Sequence, residues 1–140
     1  DIEYSVGDVI VFYSPESSSP NNSELLIENL KLWELINNEG YKNQTVYIKR
    51  IVGTPGDEIS INKNGEVFNN NIQVITENVA STVILDDILI KLSDDEYFVL
   101  GDNRDNSFDS RSFGPITSSR MIGKAFFKIY PLDQIQNLND

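Results

Sequence analysis

Tyr47-Ile48-Lys49-Arg50-Ile51-Val52-Gly53-Thr54-Pro55-Gly56-Asp57 is an apolar, partly β-branched run that ends in a turn. Pro and Gly stand side by side in that turn, as a type II turn prefers. The run reads as a strand over residues 45–52, and it fixes the character of the chain around it. Val9 to Tyr13, opened by Gly7 and Asp8, has the same composition and predicts a buried strand over 8–13. Lys63-Asn64-Gly65 separates Glu58–Asn62 from Glu66–Phe68 and signals a hairpin. Tyr97 to Leu100 predicts another strand, and Met121 to Tyr130 a closing one, followed by a polar tail. Residues 69–95 are Asn-rich at first, then alternate short apolar triplets with acids, and predict short strands and loops.

One stretch changes period. Leu25, Leu26, Leu30 and Trp33 recur at helical steps between Glu24, Glu28, Lys31 and Glu34. Asn22 or Ser23 caps the start and Gly40 stands at the left-handed end position, so a helix is expected over 24–39. Many short strands with one helix point to a mainly β fold. The 140 residues suit a single domain, with a helical insertion at 14–44 and scope for a small β subdomain at 63–95.

Composition excludes several chemistries. The chain has no Cys and no His. That removes thiol catalysis, zinc sites built on those ligands, and every Ser-His-Asp scheme. The net charge of −11 opposes binding to nucleic-acid phosphates. If the protein is a hydrolase, its base is Lys, Asp, Glu or a terminal amine.

Lys49 is the unusual residue of the first stretch. A lysine inside an apolar strand either snorkels from an exposed face or is desolvated. Desolvation disfavours the ammonium, and a neutral amine can take a proton from a serine hydroxyl. Arg50 points to the opposite face and needs a carboxylate if buried, for which Asp102 is a candidate.

A second stretch, Gly101-Asp102-Asn103-Arg104-Asp105-Asn106-Ser107-Phe108-Asp109-Ser110-Arg111, packs three acids and two arginines into eleven residues. It resembles part of an EF-hand loop, but glycine is absent at the sixth position and no Glu closes it. The arginines also oppose a divalent cation, so no metal is expected. Ion pairing within the loop, with Asp109 and Arg111 as the natural couple, is the better account. Ser107 either orients a nearby amine or ties the turn to its own backbone.

In that order and spacing, the two stretches resemble the lysine box and the Gly-Asp-Asn-Arg box of type I signal peptidases. Phe113-Gly114-Pro115-Ile116 follows the second box as it does there. Gly7 to Phe12 is similar to the strand before the lysine box. The resemblance runs from about residue 5 to residue 130. It implies a β-sheet serine protease with a Ser–Lys dyad and no cofactor, membrane-anchored with its catalytic domain outside the cytoplasmic membrane. Its partners would be the signal peptides of exported preproteins, cut after a small residue. Lys49 would be the general base and Ser107 would orient its amine. Arg50, Asp102, Asp109 and Arg111 would brace the loop, with Gly101, Asn103 and Arg104 supporting its shape.

Two departures accompany the resemblance. The family's nucleophile lies in a Ser-Met-x-Pro-like segment upstream of the first strand, and nothing here matches it. Ser5 is too close to Gly7, and Ser17 to Ser19 fall after the strand. The serine and the membrane anchor are therefore expected before Asp1, leaving the chain inactive by itself. The alternative is a naturally non-catalytic binding or assembly relative. A self-cleaving repressor-type Ser–Lys protease is a third reading, opposed by the Gly-Asp-Asn-Arg box. The second departure is the long gap between the first strand and the lysine box, which the 14–44 insertion fills.

Overall fold

The computed structural model describes residues 2–15 and 45–125. The helix expected over 24–39 lies outside the described residues, as does the closing strand beyond Ala125.

Among the described residues nine strands carry the fold. They are β1 (Val9–Tyr13), β2 (Val46–Gly53), β3 (Glu58–Ile61), β4 (Val67–Asn69), β5 (Ile72–Gln73), β6 (Ile88–Lys91), β7 (Glu96–Leu100), β8 (Ile116–Thr117) and β9 (Met121–Lys124). The described pairings are all antiparallel. Five strands form one sheet in the order β8-β7-β2-β1-β9, and four form a second in the order β5-β4-β3-β6. Helix is limited among the described residues to two 3₁₀ turns, Arg104–Asn106 and Ser118–Arg120, and one turn of α-helix, α1 (Ser110–Phe113).

The apolar run of β2 is central because both its faces have work to do. Strand alternation sends Tyr47, Lys49 and Ile51 to one face and Ile48, Arg50 and Val52 to the other. In register, Ile10 opposes Lys49, Phe12 opposes Tyr47, and Val99 opposes Ile51. On that first face Ile10, Phe12, Ile51, Val99 and Ile116 are fully or almost fully buried and pack together. On the other face, Val52, Phe98 and Leu100 pack with Ile59, Ile61, Val67 and Leu92. That second cluster joins the two sheets in one core.

The turn from β2 into β3 is held by a carboxylate. Asp57 Oδ2 accepts from the backbone N–H and the hydroxyl of Thr54 and from Asn69 Nδ2, and Oδ1 accepts from Asn70 Nδ2. Gly56 has φ of 84°, as position three of a type II turn requires. Burial pushes Asp57 up, but these hydrogen bonds outweigh it and hold its carboxyl below the usual range. The β4–β5 hairpin turns on Asn70 and Asn71, whose φ values of 49° and 65° suit a two-residue type I′ turn.

Candidate active site

Lys49 is half-buried in the middle of β2. Its Nζ lies 5.7 Å from the centroid of the Tyr47 ring, on the sheet face it shares with that residue. Aromatic rings cover this face. Tyr47 stacks on Phe113 with ring centroids 6.2 Å apart, and Phe108 meets both rings edge-on. Phe12 packs against Tyr47 and Phe113. The amine thus lies beside an aromatic cluster built on its own strand face by β1, β2, α1 and the residue after Ser107.

Gly101 brings Ser107 to this amine. A Cβ placed on Gly101 would stand 2.0 Å from Ser107 Oγ and 3.5 Å from Lys49 Nζ. The hydroxyl and the amine thus border the same small volume, and that volume is open only because residue 101 has no side chain. Ser107 Oγ is buried and has no hydrogen-bond partner among the described residues. A buried hydroxyl without a partner carries a desolvation cost, and functional sites are where such costs persist.

The loop that carries Ser107 is closed on itself. Asp109, fully buried, accepts from the Gly101 backbone N–H at 3.0 Å and from Arg111 Nε and Nη2, both at 2.9 Å. It also caps α1, accepting from the Arg111 backbone N–H. Arg111 Nη2 donates to the Arg104 carbonyl, and Arg104 Nε donates to the Gly101 carbonyl. Burial, followed by the like charge of Arg111, pulls the Arg104 guanidinium below its ordinary value. Ser110 Oγ, also buried, accepts the Val99 N–H and ties the loop to β7. Asn103 opens the 3₁₀ turn through its backbone carbonyl, which Asn106 N–H meets, while its exposed side chain makes no capping bond.

Arg50 and Asp102 act on the other face. Arg50 Nε and Nη2 grip both oxygens of Asp102 at 2.9 and 2.8 Å, and Nη1 donates to the Gly7 carbonyl. This bidentate fork joins the lysine strand, the start of the polar loop and the turn before β1. The guanidinium holds the Asp102 carboxyl below its usual range, and the carboxylate raises Arg50 in return.

Of the residues singled out from sequence, Lys49, Gly101 and Ser107 meet at one point. Asp109, Arg111 and Arg104 lie behind them, and Arg50 with Asp102 brace the far face. Sequence reasoning missed Ser110, Asp57 and Thr82, whose Oγ1 donates to Asp105 Oδ1 at 2.7 Å. Asp57 follows Pro-Gly in a turn, which was a usable signal. No local pattern marks Ser110 or Thr82. Among the described residues no cluster of three or more acids is placed to hold a metal, and no helix is long and apolar enough to cross a membrane.

Comparison with known proteins agrees with this layout. Signal peptidase, peptidase S26, is matched over residues 2–130. The signal peptidase I P of Bacillus subtilis subsp. natto is 34% identical over 143 aligned positions, which cover 87% of this chain and 77% of that protein. A probable signal peptidase I-2 of Synechocystis sp. is 36% identical over 94 residues, 67% of this chain and 43% of that one. The chain spans about half the length of the first curated relatives it matches. A crystal structure of a signal peptidase I from Enterococcus faecalis superposes with a TM-score of 0.59 at 21% identity, covering 89% of this chain and 97% of that one. That likeness bears on the fold, which is mainly antiparallel β in this chain as well. With the family's span covering both polar boxes and the strands that present them, the chain belongs to the signal peptidase family, peptidase S26.

Proposed function

We propose that this chain is the catalytic body of a type I signal peptidase, which removes signal peptides from exported preproteins at the outer side of the cytoplasmic membrane. The observation that carries the reading is the small volume over Gly101, bordered by Lys49 Nζ and the unpartnered Ser107 Oγ. A hydroxyl held there can accept from or donate to the amine and fix its direction. The rings of Tyr47, Phe108 and Phe113 pack together on the same face, and desolvation of the amine beside them would favour its uncharged form.

In this reading Lys49 is the general base. It takes the proton of a serine hydroxyl as that oxygen forms a bond to the scissile carbonyl carbon. Collapse of the tetrahedral intermediate breaks the C–N bond, and the Lys49 ammonium returns the proton to the departing amine. Water then hydrolyses the acyl ester, with the amine again as base. Ser107 positions Lys49 and is not the nucleophile. We assign the nucleophile to a serine of the Ser-Met-x-Pro-like kind that the family resemblance implies.

Cleavage of a preprotein by the full-length enzyme tests this. Lys49→Ala should lower kcat by at least about 10²- to 10⁴-fold, the usual contribution of a general base, with an unchanged thermal midpoint. Ser107→Ala should slow the reaction less. Normal cleavage by Lys49→Ala would refute the base assignment. A full-length wild-type protein that bound preproteins but never cut them would instead mark a binding relative.

A further inference from the structure

The polar loop has three acids, and two of them are used within its own surroundings: Asp102 by Arg50, Asp109 by Arg111. Asp105 is used differently. It lies in the 3₁₀ turn two residues before Ser107, and its Oδ1 accepts the hydroxyl of Thr82 at 2.7 Å. Thr82 belongs to the long connection between β5 and β6, in the other sheet. Its position there is fixed from beneath. Gly65, in the β3–β4 turn with φ of 78°, is buried under the Thr82 backbone, so that a Cβ on it would fall 1.9 Å from the Thr82 carbonyl oxygen. Two residues on, the Ile84 N–H donates to the Lys63 carbonyl and the Ile84 side chain packs on the core shared by both sheets. The β3–β4 turn is rigid in its own right. Asn62 Oδ1 accepts the N–H groups of Asn64 and Glu66, and its amide donates to the Glu66 carboxylate.

From this chain of contacts we infer that Thr82 is a positioning residue for the reaction proposed above. The four-stranded sheet reaches across through residues 82–84 and pins the turn that aims Ser107 at Lys49. Gly65 is required because it lets the strap lie flat on the hairpin. The inference rests on the Lys49–Ser107 reading for its catalytic part, and on geometry alone for its mechanical part.

The two parts separate in one set of measurements on the full-length enzyme. Thr82→Val keeps the shape of the side chain and removes the donor. Its amide hydrogen exchange should rise at residues 104–107 and stay unchanged in β1 and β2. Its kcat for preprotein cleavage should fall about three- to tenfold, the range of one hydrogen bond, with KM within about twofold. Thr82→Ser, which keeps the hydroxyl, should restore both. Asp105→Ala should reproduce the loss, and the Thr82→Val/Asp105→Ala double variant should be no worse than either single one. Unchanged exchange at 104–107 in Thr82→Val would overturn the strap. Raised exchange with unchanged kcat, in an enzyme that Lys49→Ala inactivates, would overturn its role in positioning. If Lys49→Ala itself remained active, the fault would lie with the base assignment, and the exchange data would still judge the strap.

Discussion

At position 101 the absence of one carbon atom decides whether an amine and a hydroxyl can share a space. Gly101→Ala would drive a methyl group against Ser107 Oγ and Cβ, at 2.0 and 2.5 Å in the present geometry. The serine would have to swing away from Lys49, at an overpacking cost of about 1–3 kcal/mol. The expected result is a strong loss of cleavage with a lower thermal midpoint. Adding Ser107→Gly should recover the midpoint and bring cleavage no higher than that of Ser107→Ala, because room is restored but the hydroxyl is gone. Recovery of activity above that level by that double variant would contradict the role given to Ser107. The lysine and the Gly-Asp-Asn-Arg box were legible from residue type and order. The reason for glycine at 101 was not, because the crowding comes from residues brought in by β2 and by the returning loop.

Among the elements, the turns and the loop carry more of the design than the strands do. The Arg50–Asp102 fork is one such device, and its pH dependence has a definite sign. Asp102 is held below its unfolded value by Arg50. It therefore contributes stability that is present above the ordinary carboxylate value of about 4 and is lost as pH falls through its lower folded value. Its side chain is half-exposed, so solvent screening makes the contribution small. Asp102→Asn should flatten the acid side of the stability–pH curve, measured by denaturant unfolding from neutral pH down to about pH 2.5. An unaltered curve would mean the fork contributes nothing to folding.

The β2–β3 turn gives a larger expected effect. Asp57→Ala leaves the Thr54 and Asn69 donors without their acceptor and should cost roughly 2–3 kcal/mol, as hydrogen bonds to a charged group do. These devices explain the uneven legibility of the chain. The strands at 8–13, 45–52 and 97–100 announced themselves through β-branched and aromatic runs, and the hairpin at Lys63-Asn64-Gly65 through its turn residues. The strands within 69–95 are only two to four residues long. Their pairing, β6 onto β3 in particular, is set by distant partners and leaves no local signal.

Across the whole molecule, the site depends on two sheets that share a core. Val52, Phe98 and Leu100 of one sheet pack with Ile59, Ile61, Val67 and Leu92, from the second sheet and its flank. Phe98→Ala should therefore destabilise both sheets together, by about 3–5 kcal/mol. Hydrogen exchange should rise in parallel in β3 and β7, and a loss confined to one sheet would argue for separate folding units. Neither this union nor the strap from Thr82 to Asp105 could be read in one dimension, since each joins segments far apart in sequence. The mainly β class could be, because nearly every segment carried its own strand or turn signal.

The central claim is that Lys49 reacts as an uncharged amine. It is tested most directly by the pH dependence of kcat/KM for preprotein cleavage by the full-length enzyme. A single acidic limb is expected, along which activity rises tenfold per pH unit as the amine loses its proton, shifted when Tyr47→Leu removes the ring beside it. A profile without that limb, or one untouched by changes around Lys49, would contradict it.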